Sequence, residues 1–87
     1  MVKMEKKLME DYLNTKDIVQ EQIDDLIVNL IKARKKNKIT QVKLSQMTGI
    51  PQTTISRLES FNTIPTLQIL IRIANALDFS LILSRKT

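Results

Sequence analysis

Apolar spacing divides the chain into short helical stretches. Over residues 2–13, Met4, Leu8, Met9 and Tyr12 recur at steps of three and four, as on one face of a helix. Asn14 and Thr15 offer a break and a cap. A second helix is therefore expected from Lys16 or Asp17, with acids in its first turn, where the helix dipole favours them. Its apolar line is Ile23, Leu26, Ile27, Leu30 and Ile31, and Arg34 continues the stripe. Lys32, Arg34, Lys35 and Lys36 gather at its C-terminal end, and Asn37 and Lys38 close it.

From Ile39 the elements shorten. Thr40 is a natural N-cap for a helix over 41–47. Gly49 follows, where a helix end wants positive φ. Pro51 starts a helix from Gln52 to about Ser60, since its missing N–H costs nothing there. Pro65 and Thr66 open a last helix over 67–77, with Leu67, Leu70, Ile73, Ala74 and Leu77 on one face. Residues 79–84 alternate in part and predict a short strand. Phe79, Leu81 and Leu83 would face the last helices, and Ser80, Ile82 and Ser84 would face away.

Composition narrows the class. An 87-residue chain that is 43% apolar makes one small domain plus an extension. A single glycine, where average usage of about 7% would place roughly six, leaves little material for tight turns and favours an all-α fold. Cysteine and histidine are both absent, so disulfides, thiolate zinc sites and the usual general base are excluded. No cofactor, no metal site and no enzymatic activity are expected. The acids Asp24 and Asp25 diverge on a helix and read as a solvated face. The longest apolar stretches, such as 67–73, are broken by polar residues, far from the ~20 apolar residues of a membrane span. The N-terminus mixes both charge signs without an apolar core, so export is not expected and the expected location is the cytoplasm.

The net charge of +5 is unevenly spread. Residues 1–31 carry four lysines against seven acids, whereas residues 32–87 carry ten basic residues against only Glu59 and Asp78. A basic body has the right sign for nucleic acid, and an acidic front points to a second partner or face.

Two short helices joined by a glycine-containing turn form a helix-turn-helix candidate. Ile39, Leu44, Ile50, Ile55 and Leu58 supply its shared core, small Ser45 sits at the crossing, and Met47 adds packing. The exposed face of the second helix carries Gln52, Thr53, Thr54, Ser56 and Arg57. Glutamine can bond adenine in bidentate fashion, arginine can do the same with guanine, and threonine can meet the thymine methyl. Gln52, Thr53 and Arg57 are the expected base contacts, and Thr40, Gln41, Lys43 and Thr54 the expected phosphate contacts. Lys32, Lys35, Lys36 and Lys38 read as a solvated face.

Ile39-Thr40-Gln41, Leu44-Ser45, Gly49-Ile50, the run from Gln52 to Glu59, and Pro65-Thr66-Leu67 followed by Leu70, Ile73, Ala74 and Leu77 resemble the lambda-repressor-like, Cro/C1-type (XRE) helix-turn-helix family. The resemblance covers roughly residues 23–78. It implies that Gln41 bonds a phosphate and braces Gln52, and that Arg34 and Glu59 form a structural ion pair. The family usually has glycine where this chain has Phe61. Phenylalanine disfavours positive φ, so Asn62 is expected to take the left-handed turn, or the helix to run on slightly. Ser60 and Asn62 are further phosphate candidates.

The flanks resemble antitoxins of the HigA/HipB kind. That likeness implies a homodimer on a palindromic double-stranded DNA operator, autoregulation, and a small basic ribonuclease-type toxin as partner. The expected architecture is all-α: a lambda-repressor-like domain of five to six helices with a short C-terminal β-strand. A helical extension would span 1–15, the DNA-binding domain 16–78, and a dimerisation strand 79–87. Ile69, Ile71, Phe79, Leu81, Ile82 and Leu83 are the expected dimer surface. The alternatives are a prophage or chromosomal repressor without a toxin, and a protein-binding module that has lost DNA binding.

Overall fold

Asn14 and Thr15 are mediocre helix formers, yet each costs under ~1 kcal/mol relative to alanine, and no glycine or proline precedes Gly49. The computed structural model, which describes residues 2–85 and side chains from Asp17 onward, carries one unbroken helix through them. This α1 spans Val2–Lys36, where two helices were expected. A cap signal ends a helix only where some residue must leave helical φ/ψ, and none here must. Three short helices follow: α2 at Gln41–Thr48, α3 at Gln52–Glu59 and α4 at Leu67–Ala76. The described residues thus hold four helices rather than five or six. None of the helices is long and apolar enough to cross a membrane.

Caps set the short elements. The Thr40 hydroxyl accepts from the Lys43 N–H at 3.0 Å, and the Thr66 hydroxyl accepts from the Ile69 N–H at 3.2 Å. These bonds satisfy N–H groups that helix starts leave without partners. The other ends require left-handed backbone, and the single glycine serves only one of them, at φ 73°. Lys38, Phe61 and Asp78 take the other three, at φ 57°, 60° and 65°. Each closes the same double bond pattern. At the end of α3 the Phe61 N–H donates to the Leu58 carbonyl at 3.1 Å, and the Asn62 N–H donates to the Arg57 carbonyl at 2.9 Å. The left-handed residue is therefore Phe61 itself, not Asn62. Two backbone bonds at that position outweigh the ~1–2 kcal/mol a side chain costs there.

The core joins all four helices. Ile27 and Ala33 of α1, Leu44 of α2, Ile55 and Leu58 of α3, and Ile73 of α4 are buried together with Ile50 and Leu77. Two expected core residues lie outside it. Met47 is 44% exposed, and Leu67, on the first turn of α4, is 65% exposed. Ile69 is half-buried against the core, and Ile71 is exposed.

No strand forms among the described residues; 79–85 is irregular. The Phe79 N–H instead donates to the Ala74 carbonyl at 2.8 Å, which commits this residue to closing α4. A strand also needs a ladder partner, and the described residues offer no second strand beside it. Phe79 and Leu81 line a groove between α1 and α4, but Ile82 and Leu83 stand in solvent.

Candidate nucleic-acid interface

The joint between α2 and α3 is tied by short-range hydroxyl bonds. Gly49 turns the chain, its N–H still donating to the Ser45 carbonyl at 2.9 Å. The Ser45 hydroxyl donates to the Ile50 carbonyl at 2.5 Å. The Thr48 hydroxyl donates to the Leu44 carbonyl at 2.7 Å and accepts from the Ile50 N–H at 3.2 Å. With Leu44, Ile50, Ile55 and Leu58 buried beneath, these bonds hold α3 at one angle to α2.

The outer face of α3 is polar and open. Gln52, Thr53, Ser56 and Arg57 are exposed, and together with Gln41 of α2 they line a polar depression of about 350 Å³. Residues far apart in the chain thus share one surface. Ser56, to which sequence reasoning assigned no contact, forms part of it; its spacing of four from Gln52 and three from Thr53 was the available signal.

Behind this surface lies the ion pair. Arg34, in the last turn of α1, donates through Nε to Glu59 Oε2 at 2.7 Å and through Nη2 to Glu59 Oε1 at 2.6 Å. Its Nη1 donates to the Ile39 carbonyl at 2.8 Å. Gln41 Nε2 donates to Glu59 Oε1 at 3.1 Å, so the hydrogen bond it makes runs to Glu59 rather than to Gln52. One N–H of that amide remains for an external acceptor. Glu59 is the only acid between Asp25 and Asp78, and it is neutralised by Arg34. The α2–α3 surface therefore presents positive and neutral groups.

The remaining phosphate candidates are spread around this depression. Lys43 is exposed on α2, and Thr40 keeps its hydroxyl proton while its oxygen caps the helix. Thr54 is half-buried. The Ser60 hydroxyl donates to the Ser56 carbonyl at 2.8 Å, and Asn62 is exposed beyond the turn at Phe61. Among the described residues no cluster of acids forms a metal site.

A family profile described as helix-turn-helix matches residues 30–83, more than half of the chain. No curated protein and no solved structure matches.

Proposed function

The chain belongs to the Cro/C1-type helix-turn-helix family of DNA-binding transcriptional regulators, and on that premise we propose that it is a repressor reading a palindromic operator as a homodimer. The carrying observation is the shared depression of Gln41, Gln52, Thr53, Ser56 and Arg57. It combines base-reading groups on α3 with a phosphate-reaching amide on α2, on a surface free of unpaired acid. In this division of labour Gln52, Thr53 and Arg57 meet base edges. Thr40, Gln41, Lys43 and Thr54 hold the backbone, with Ser60 and Asn62 at the far rim. An eight-residue recognition helix covers one half-site, and two copies would read half-sites about 34 Å apart.

The experiment is selection of bound sequences from a random duplex pool, followed by titration of Arg57→Ala on the selected site. A palindromic site is expected. The variant should lose roughly 10- to 200-fold in affinity, with relaxed preference at one position in each half. Undiminished affinity and selectivity would overturn the assignment of α3.

An antitoxin role is favoured by one further observation. Asp17, Glu21 and Asp25 stand exposed on α1, an acidic face suited to a small basic ribonuclease-type toxin. Reversing all three to lysine should leave operator binding intact and abolish neutralisation of a toxin encoded beside the gene.

A further inference from the structure

Because α1 is continuous, residues on both sides of Asn14 and Thr15 share one helical frame. A seven-residue repeat then emerges. Lys16, Ile23 and Leu30 fall at one seam position, and Tyr12, Val19 and Leu26 at the other; Met9 and Ala33 extend it at either end. Val19 and Leu26 are 45% and 38% exposed, while Ile23 and Leu30 are half-buried and Ala33 is buried against the chain's own core, so the seam is open along its Val19–Leu26 edge. Toward its C-terminal end it opens into the groove of about 460 Å³ between α1 and α4, where Leu26, Leu30 and Ala33 meet Leu70, Ala74 and Phe79.

The distribution of charge identifies the occupant. Every acid from Glu10 to Asp25 lies at an outer position of the repeat. Between residues 8 and 29 the positions flanking the seam are Leu8, Leu13, Thr15, Gln20, Gln22, Ile27 and Asn29, all uncharged; beyond them Lys6, Arg34 and Lys36 carry only positive charge, and Arg34 is taken up by Glu59. A basic partner would want acids beside the seam. An identical helix needs them kept away from it, because like charges across a close helix pair repel.

We infer that the α1 seam pairs with the same seam of a second copy, antiparallel, with Ile23 opposite the partner's Val19. In the parallel arrangement Lys16 would face Lys16. In the antiparallel one it lies opposite Leu26, with Asp24 and Asp25 of the partner close by in sequence. Antiparallel pairing also sets the two Leu30 positions about 27 Å apart along the axis, at 1.5 Å per residue. That is of the order of a half-site spacing. The inference rests on the homodimeric reading above and supplies its interface, leaving the acidic outer face of α1 free.

Sedimentation equilibrium of the full chain without DNA tests it. Val19→Glu should raise the dimer dissociation constant at least about tenfold, because it buries a carboxylate in the seam. Ile18→Glu is more exposed in the single chain, at 54%, but lies off the seam, and should leave the constant within about twofold. Introduced cysteines report orientation without background, since the chain has none. Val19→Cys chains should cross-link to Ile23→Cys chains in preference to their own kind. A monomeric full chain, equal effects of the two glutamates, or preferential self-cross-linking would overturn the inference. Operator binding by Val19→Glu at raised concentration separates loss of the interface from loss of DNA recognition.

Discussion

Arg34 and Glu59 join the end of α1 to the end of α3 through two parallel hydrogen bonds, with side chains only 10% and 9% exposed. Bidentate geometry orients both groups, and the bonds to Ile39 and Gln41 extend the grip to the start of α2. One ion pair thus fixes α3 relative to both α1 and α2. Removing one partner leaves the other nearly buried without an opposite charge, Glu59 keeping only the Gln41 amide and Arg34 only the Ile39 carbonyl. Arg34→Ala should destabilise by roughly 3 kcal/mol, whereas the paired replacement Arg34→Met with Glu59→Leu should cost much less. Urea unfolding of the three proteins checks this. Equal losses would show that packing rather than charge is at stake.

Three helix ends hold side chains in left-handed backbone, and relieving that strain should stabilise the protein. Phe61→Gly and Lys38→Gly should each gain about 0.5–1 kcal/mol, the strain removed less the entropy that glycine adds to the unfolded chain. Asp78→Gly should gain less, because aspartate tolerates this conformation better. Gly49→Ala should lose roughly 1 kcal/mol, for backbone reasons alone, since an added Cβ would meet nothing within 4 Å. Melting temperatures rank the four.

Gln41 and Lys43 should behave differently from Arg57. On the proposed division of labour each holds the DNA backbone, so alanine at either position should weaken binding to all sequences alike. Lys43→Ala should in addition lower the slope of log affinity against log salt by about one unit. Gln41→Ala also removes a hydrogen bond to Glu59 and should cost about 1 kcal/mol of stability. Fluorescence anisotropy at several salt concentrations, with selected and scrambled duplexes, separates these effects.

Burial predicts a sharp contrast between two apolar residues of the helix pair. Ile55 is fully buried, and Ile55→Ala should cost roughly 2–5 kcal/mol. Met47 is 44% exposed, and Met47→Ala should stay within about 0.5 kcal/mol. A large loss at Met47 in the DNA-free protein would place it in an interface between copies.

The sequence by itself determined the three helices between Thr40 and Leu77, because their signals are local. A hydroxyl three residues before a free N–H, a glycine at a turn and apolar steps of three and four act within one helical turn, and α2, α3 and α4 lie within a residue or so of expectation. The family was legible for the same reason, and so was the shared exposed face of Gln52, Thr53 and Arg57, which are neighbours on one short helix. Long-range facts were not. Gln41 joins the α3 residues across the joint, and its amide turns to Glu59, only because the buried core sets the angle between helices. Met47 and Leu67 have core-like identity and spacing, but the tertiary packing leaves them at its edge. The apparent cap at Asn14 and Thr15 failed because a cap permits a helix end without forcing one. Phe61 took the turn assigned to Asn62 because two backbone bonds outweighed one residue's preference. The alternating tail formed no strand because a strand's hydrogen bonds belong to its partner, which no single stretch of sequence supplies.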